Sequence, residues 1–351
     1  MDNRPGTTKT KPGLATPPTL ELQDLHVHFR TARGPVKAVD GLDLEVRAGE
    51  RYGLIGESGS GKTTIALAIL RLIKPPGEIV AGRILLDEVD LLSLSEEEMR
   101  RRRLADVALV TQGAMNSLNP VIRIRDLIAD GLRNHGVALK GSAVDAHIAD
   151  LLNRVGLRPE VARMYPHELS GGMKQRVCIA IAISLRPKLI IADEPTSALD
   201  VVVQRQVMQT LRKVQEELGA AVILIGHDMG LMAQFADRVG VVYAGSLAEE
   251  GSVADLFANP QHPYSQLLMA SLPTLEKKGA FHEVQGSPPS LLDLPPGCVF
   301  HPRCPYKMGR CTREVPRVQT VWRGHRAACH LLDNGQTLQE LAVQRQEEIT
   351  S

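Results

Sequence analysis

The sequence has no long apolar run, no excess of charge of one sign and no apolar segment close to its N-terminus. A membrane-spanning helix needs roughly 18 consecutive apolar residues, and no run in this sequence approaches that length. A secretory signal also needs an apolar segment behind its first residues. We therefore expect a cytosolic protein that reaches a membrane only through its partners.

The charges are balanced, with 41 lysines and arginines against 40 aspartates and glutamates and a net charge of +1. Nucleic-acid-binding domains usually carry a basic excess, so we expect no nucleic-acid partner. Hydrophobic residues make up 43% and charged residues 23% of the chain, as in ordinary globular proteins. The length of 351 residues exceeds one usual hydrophobic core, which predicts a large domain and a smaller one.

Cysteine is scarce and unevenly placed. Cys178 stands alone inside an apolar helical pattern, where it is expected to be a small buried residue. The other four lie near the C-terminus, at Cys298, Cys304, Cys311 and Cys329. In a reducing compartment such a group is more typical of a metal site than of a disulfide framework.

The glycine-rich stretch Gly56–Thr64 matches the phosphate-binding pattern G-x-x-x-x-G-K-[ST] in full. It follows the apolar run Tyr52–Ile55 and precedes the helical pattern Ile65–Leu70. A chance match is conceivable for any short pattern, but the strand before the loop and the helix after it favour a nucleoside triphosphate site. Lys62 is placed to reach the β- and γ-phosphates, and the Thr63 hydroxyl to ligate Mg²⁺. The candidate phosphate-binding residues are Gly56, Glu57, Ser58, Gly59, Ser60, Gly61, Lys62, Thr63 and Thr64.

Two strands are predicted upstream of this loop. Apolar and polar residues alternate over Leu20–Phe29, and Ala38–Val46 is the second candidate, with a turn marked by Gly34 and Pro35. Residues 1–18 are rich in proline, threonine and lysine and have almost no apolar content, which predicts a disordered tail.

Downstream of the loop, strands alternate with helices, which indicates a mainly parallel sheet with helices packed on it. A helical pattern covers residues 122–157, and we expect it to be interrupted by loops at Gly131, Gly141 and Gly156. Asp193 and Glu194 end a buried strand, at the sheet edge where ligands of parallel sheets bind.

The chain resembles the ATP-binding-cassette (ABC) ATPases over roughly residues 20–250. Six motifs stand in the order and spacing of that family, and the Leu-Ser-Gly-Gly-x-x-Gln signature is specific to it. The motifs are Gly56–Thr64, Gln112, Leu169–Gln175, Asp193-Glu194, Ser197–Asp200 and His227. The resemblance implies an α/β P-loop cassette: a RecA-like core with a mixed sheet over residues 19–255, and a helical signature subdomain over about 115–186.

The resemblance also assigns roles within the site. Asp193 is expected to hold the Mg²⁺ shell together with Thr63, since this hard cation prefers oxygen ligands. Glu194 is expected to take the proton from the attacking water, a contribution of roughly 10²–10⁴ in rate. Gln112 corresponds to the family's residue that contacts Mg²⁺ or water, and His227 to the histidine that senses the γ-phosphate.

In the family the signature faces the triphosphate held by a second cassette, so two cassettes pack head to tail with ATP between them. The signature residues Ser170, Gly171, Gly172 and Gln175 are expected to face the triphosphate of the partner, and Asp200 is a further candidate nucleotide-binding residue. Phe29 has two interpretations of equal weight, either stacking on the adenine or packing in the core.

Residues 256–351 resemble the tail of the oligopeptide/dipeptide (and nickel) importer ATPases. The resemblance rests on Asn259–Tyr264, on Gly297–Pro305 and on Ser117–Pro120 after the Gln112 loop. Departures from the family pattern are small: glycine follows Gln112, and Lys174 stands where arginine is usual.

The four clustered cysteines have the spacing C-x₅-C-x₆-C-x₁₇-C. Four thiolates from one loop-rich region suit a [4Fe–4S] cluster or a structural Zn²⁺. Zinc sites usually contain close C-x₂₋₄-C pairs, which are missing here, and the resemblance favours the iron–sulfur cluster. The alternative is that the four cysteines are free thiols that bind no metal. We expect a structural role for this metal-binding extension.

The expected function is ATP hydrolysis that powers peptide import at the cytoplasmic face of a membrane. The resemblance implies three kinds of partner: a second ATPase subunit, identical or homologous, two permease subunits, and a substrate-binding protein outside the membrane.

Import of nickel or another small solute is an alternative, because the cassette does not touch cargo. A soluble ABC ATPase acting on DNA or ribosomes is disfavoured, since the sequence lacks sustained heptads and a second cassette. The intact Glu194 and His227 argue against a regulator that binds ATP without hydrolysing it.

Overall fold

The computed structural model describes residues 17–111, 113, 117–139, 141–270, 286–322, 324–334 and 338. Most of the predicted tail and Gln112 lie outside the described residues. None of the helices in the described ranges has both the length and the apolar character that a membrane span requires.

Twelve strands and nine α-helices are formed within the described ranges. The strands are β1 (Leu20–Thr31), β2 (Gly34–Val46), β3 (Arg51–Ile55), β4 (Gly77–Leu86), β5 (Val89–Asp90), β6 (Val107–Val110), β7 (Leu189–Asp193), β8 (Ala221–Gly226), β9 (Arg238–Tyr243), β10 (Ser246–Ser252), β11 (Gln319–Trp322) and β12 (His325–Ala327). The helices are α1 (Lys62–Ile69), α2 (Glu96–Arg102), α3 (Ile124–Asn134), α4 (Ser142–Arg154), α5 (Gly171–Ala182), α6 (Val201–Leu218), α7 (Met229–Phe235), α8 (Val253–Ala258) and α9 (Pro263–Ala270).

The N-terminal strands form an antiparallel sheet in the order β2-β1-β4-β5. Leu20, Leu22, Leu25 and Val27 of β1 are buried, and the alternation shifts by one residue between Leu22 and Leu25, where the ladder is irregular. The predicted turn at Gly34 and Pro35 is wrong: Pro35 pairs with Arg30 in the ladder, so the chain turns earlier, at Ala32 and Arg33.

The main sheet has the order β11-β12-β10-β9-β3-β8-β7-β6 within the described residues. Strands β9, β3, β8, β7 and β6 are parallel, whereas β10, β12 and β11 are added antiparallel to the edge beside β9. The sheet is therefore mixed. Because the parallel strands end at one edge, the segments that follow β3, β7 and β8 lie side by side there.

Helices α3, α4 and α5 pack together between β6 and β7 in the chain. The predicted loop at Gly131 is wrong, since Gly131 lies inside α3. The buried residues Ile124, Ile128 and Leu132 keep the helical period across it. Gly141 precedes α4, as expected for a residue that interrupts the pattern.

The C-terminal extension continues the main sheet. Strand β12 pairs with β10, where Glu249 lies opposite Ala327. The Glu249 carboxylate is fully buried; it accepts hydrogen bonds from the backbone N–H groups of Gln261 and His262 and lies 2.6 Å from Nε2 of His325. The boundary predicted between residues 255 and 256 falls within α8. The cassette and the extension thus share both a sheet and a buried polar network.

Candidate active site

The loop after β3 passes so close to the neighbouring backbone at two positions that only glycine fits there. Gly61 caps α1 in the left-handed region with φ +102°, and a Cβ there would lie 2.2 Å from the carbonyl oxygen of Ala38. A Cβ on Gly56 would lie equally close, 2.2 Å, to the carbonyl oxygen of Val242. The helix N-terminus and the turned backbone together form an anion site.

Lys62 is buried at the base of this loop, with 7% of its surface exposed. Its Nζ donates to the carbonyl oxygens of Gly56 and Glu57 at 2.8 and 2.7 Å, and to Oγ of Ser60 at 3.2 Å. Burial lowers the pKa of Lys62, and the carboxylates of Glu194 and Asp193 oppose that shift. The ammonium group is therefore held where phosphate oxygens would approach.

Asp193, at the end of β7, is suited to a hard cation. It is 5% exposed, and its Oδ1 is buried with no hydrogen-bond partner in the described part of the chain. Burial raises the pKa of Asp193, while a hydrogen bond with Thr63 lowers it. A buried carboxylate oxygen without a partner is costly, and a Mg²⁺ ion held between Asp193 and Thr63 would satisfy it. The donor set fits the ion.

Glu194 and His227 meet at the same edge of the sheet. Glu194 has φ +43°, and its N–H donates to the carbonyl oxygen of Ile225 on β8. Nδ1 of His227 lies 3.2 Å from Oε1 of Glu194. His227 is 72% exposed and Glu194 23% exposed at the side chain, so the pair can receive a ligand from solvent. The structure thus brings the predicted base and the predicted γ-phosphate sensor together.

The signature residues start a different helix. Ser170 caps α5, with Oγ accepting from the N–H of Met173 at 3.3 Å, and Ser170 is exposed. Gly172 packs against α6, where a Cβ would lie 2.4 Å from Val203. Gln175 is buried, and its Nε2 has no hydrogen-bond partner among the described residues. Asp200 caps α6 by accepting from the N–H groups of Val202 and Val203.

The structure does not place two of the predicted site residues with the residues described above. Phe29 is half-buried and packs against Ile73 and Gly77, where a Cβ on Gly77 would lie 2.6 Å from the Phe29 ring. This contact is core packing, and adenine stacking by Phe29 stays a prediction. Gln112 lies outside the described residues. No hydrogen bond among the described residues links the signature, residues 170–175, to the phosphate loop.

The C-terminal extension contacts the phosphate loop, which the sequence did not indicate. The guanidinium of Arg303 binds the Glu57 carboxylate through two hydrogen bonds of 2.7 and 2.9 Å. The N–H of Glu57 donates to the Tyr264 hydroxyl at 2.9 Å. No pattern in the sequence pairs residues this far apart along the chain, and only the fold shows that they meet.

The four C-terminal thiols lie near one another. Burial raises the pKa of Cys329 to about 12, and the neighbouring thiols Cys304, Cys298 and Cys311 add to this shift. Burial also raises the pKa of Cys298, with Cys311 contributing. Burial and the neighbouring thiols thus disfavour the thiolate forms of Cys298 and Cys329. The chemistry of these donors fits a metal ion or cluster that would stabilise the thiolates.

Two family models match the chain. One, described as ABC transporter, matches residues 39–197. The other, described as the C-terminal region of oligopeptide/dipeptide transporters, matches residues 248–311. The first contains the phosphate loop, the signature and the Asp193-Glu194 pair, and the second contains the first three clustered cysteines.

Characterised relatives match over most of the chain. The dipeptide transport ATP-binding protein DppD of Haemophilus influenzae is 42% identical over 314 residues, which cover 89% of this chain and 94% of the relative. DppD of Escherichia coli is 41% identical over 314 residues, covering 89% of this chain and 96% of that relative.

Among solved structures, the chain is similar to a dimeric ATP-binding cassette, MJ0796, in a post-hydrolysis state bound to ADP and Pi. The TM-score is 0.60 at 27% identity, over 67% of this chain and 98% of that one. The predicted ABC cassette fold is confirmed, whereas metal binding by the extension stays a prediction. The chain belongs to the family of ATP-binding subunits of oligopeptide/dipeptide ABC transporters, and it is an ATPase of that family.

Proposed function

We propose that this chain hydrolyses ATP to power the import of dipeptides or short peptides through an ABC membrane transporter. The observation that carries the proposal is the combination of a cassette site with the transporter-specific extension in one continuous sheet. The relatives that match about nine-tenths of the chain are dipeptide transport ATP-binding proteins.

The catalytic step follows from the residues at the sheet edge. Lys62 and the N–H groups of α1 bind the phosphates, and Asp193 and Thr63 would hold Mg²⁺, which when bound would neutralise charge on the phosphate oxygens. Glu194 orients the attacking water and accepts its proton. His227 stands 3.2 Å from Glu194 and contacts the γ-phosphate, so it reports whether that group is present.

A second cassette completes the site in this proposal. Ser170 and the start of α5 form another anion site, which no hydrogen bond in the described residues joins to the phosphate loop of the same chain. Beside the capping residue Asp200, Val201 and Val202 are 76% and 68% exposed. Adjacent exposed apolar side chains are typical of a surface that a partner covers. The partner cassette is this chain or a homologue.

The remaining partners are two permease subunits and a substrate-binding protein outside the membrane, with this chain bound peripherally at the cytoplasmic face. Coupling to transport passes through the permease subunits in this proposal, because the relatives of this chain are dipeptide transport ATP-binding proteins. Loss of the γ-phosphate removes contacts that both cassettes make with ATP, which opens the pair and moves the permease.

The cysteine site is proposed to hold a [4Fe–4S] cluster with a structural role. The four cysteines come from one loop-rich region and have the spacing C-x₅-C-x₆-C-x₁₇-C. Zinc sites usually contain close C-x₂₋₄-C pairs, which are missing here, so the spacing favours the cluster over zinc.

Glu194→Gln tests the proposed function. The amide cannot accept the proton, so hydrolysis should fall by roughly 10²-fold or more, while ATP stays bound and the cassettes stay paired. In a strain from which the gene is deleted, the wild-type chain should restore uptake of labelled dipeptides and the variant should not. Glu217→Gln, an exposed change on α6, serves as the matched control. Unchanged turnover in Glu194→Gln would remove the assigned base, and restored nickel uptake without dipeptide uptake would contradict the cargo.

The metal content of anaerobically purified protein tests the cysteine site. We expect a brown protein with about four irons and four sulfides per chain, and Cys304→Ser should lose most of both. Cys178→Ser is the control, since Cys178 lies in α5 and is not one of the four clustered cysteines. Stoichiometric zinc with no iron or sulfide would refute the proposal.

A further inference from the structure

The phosphate loop of this chain contains an acidic residue in a site built for anions. Glu57 directly follows Gly56, and its carboxylate is among the charges that act on Lys62. An unpaired carboxylate here would repel a triphosphate, because like charges in a partly buried site are weakly screened. The charge of Glu57 must therefore be neutralised for tight nucleotide binding.

Arg303 supplies that neutralisation from the C-terminal extension. Its side chain is 6% exposed and that of Glu57 is 23% exposed, so the pair is shielded from solvent. Both guanidinium nitrogens of the Arg303 fork bind the carboxylate, a geometry that only arginine provides. Nη1 of Arg303 also donates to the Tyr243 hydroxyl at 3.2 Å, which fixes the guanidinium in place.

The backbone of Glu57 is held by the same extension. Its N–H donates to Tyr264, whose ring packs against Tyr243 and Phe300 with centroids 4.6 and 5.4 Å away. The N–H and the carboxylate of Glu57 thus both bind the extension, whereas its carbonyl oxygen accepts from Lys62 within the loop.

We propose that Arg303 is a positioning residue for nucleotide binding: it turns the Glu57 carboxylate away from the phosphates and cancels its charge. This inference rests on the proposed ATP-binding role of the loop. It makes the C-terminal extension a part of the nucleotide site. Arg303 directly precedes Cys304, so the fold of the cysteine region determines where the guanidinium lies.

The test compares the nucleotide affinity of full-length variants. Arg303→Ala should weaken ATP binding about tenfold by leaving Glu57 unpaired, with KM raised more than kcat is lowered. The loss should shrink from ATP to ADP to AMP, because the repulsion depends on phosphate charge. Arg303→Ala combined with Glu57→Gln should recover affinity to within about threefold of wild type, since the repelling charge is gone.

Arg310→Ala is the matched control, because Arg310 pairs with Glu314 and Asp333 within the extension. If Arg303→Ala fails to fold, Arg303→Gln serves instead, and thermal unfolding without nucleotide reports folding. A purely structural role would lower the melting temperature, affect all nucleotides equally and give no recovery in the double variant, and that result would overturn the inference. Failure of the wild-type chain to bind ATP would instead contradict the proposed function.

A separate group of side chains on the N-terminal sheet forms a candidate metal site. His26 and His28 lie on the same face of β1, and Asp40 lies opposite His26 on β2. One donor atom from each of the three residues lies within 4.8 Å of the other two. Nδ1 of His26 is 3.0 Å and Nε2 of His28 is 3.9 Å from Oδ1 of Asp40. These values bracket the spacing of about 3.3 Å between ligands around a tetrahedral ion.

The surroundings of these donors match those of metal ligands. Nε2 of His26 lies 3.0 Å from Oδ1 of Asp24, an outer carboxylate that would leave Nδ1 free for an ion. Lys37 binds the other oxygen of Asp40 at 3.2 Å. Nε2 of His28 is buried and has no hydrogen-bond partner in the described residues. The three side chains are 19–26% exposed, so a ligand position faces solvent.

The geometry points to a site for a first-row transition ion bound by His26, His28 and Asp40. Two imidazoles and one carboxylate suit Zn²⁺ or a similar ion and not Mg²⁺ or Ca²⁺. The competing arrangement is His26 hydrogen-bonded to both Asp24 and Asp40 with no ion. These two arrangements are distinguished by whether the wild-type protein binds a metal ion at this site.

Zn²⁺ binding to the full-length protein tests this site by equilibrium dialysis. His28→Ala should bind one Zn²⁺ per chain fewer than wild type. Asp24→Asn should bind as many Zn²⁺ ions as wild type, but the affinity of the histidine site should fall about 10- to 100-fold. His147→Ala, on α4, is the control. Any zinc that the thiols take up would be the same in all variants, so the difference in bound zinc between wild type and His28→Ala reports the histidine site. Equal stoichiometry and equal affinities in wild type and His28→Ala would overturn the assignment.

Discussion

The binding of a triphosphate at the N-terminus of α1 is the interaction on which the rest of the structure depends. The contact needs backbone N–H groups at close range, and Gly56 and Gly61 permit it where a Cβ would meet a carbonyl oxygen at 2.2 Å. Strands β3, β7 and β8 end at the same edge, so the phosphate loop, Asp193-Glu194 and His227 surround one point. The signature starts a different helix, α5, and in the proposed pair of cassettes it would bind the nucleotide held by the partner.

The extension is joined to this arrangement by charge as well as by packing. Strand β12 is hydrogen-bonded to β10, the Glu249 carboxylate is buried between them, and Arg303 reaches the phosphate loop. A buried carboxylate and a buried guanidinium are stable only when paired. Glu249 contacts His325, and Arg303 contacts Glu57. Because both contacts join the cassette to the extension, the two parts are expected to fold together. A metal at the cysteine site would then stabilise a region that contacts the phosphate loop.

The sequence predicted the local features well because they depend on short spacings. The phosphate loop before a helix and the two carboxylates at the end of the buried strand β7 follow from neighbouring residues, and the structure has them where the sequence predicts them. Boundaries that depend on distant packing were less predictable. Gly131 stays helical because the apolar face of α3 is buried on both sides of it. The Arg303–Glu57 pair joins residues 246 positions apart, and no local pattern encodes it.

The dependence of ATP hydrolysis on a second cassette tests the central claim most directly. The measurement is the turnover per protomer of purified chain across a range of protein concentrations, with light scattering on the same samples to report the monomer and dimer. If each nucleotide is held by the phosphate loop of one cassette and the signature of another, turnover should follow the fraction of paired cassettes and vanish where the chain is monomeric. Full turnover by a monomer would contradict the account.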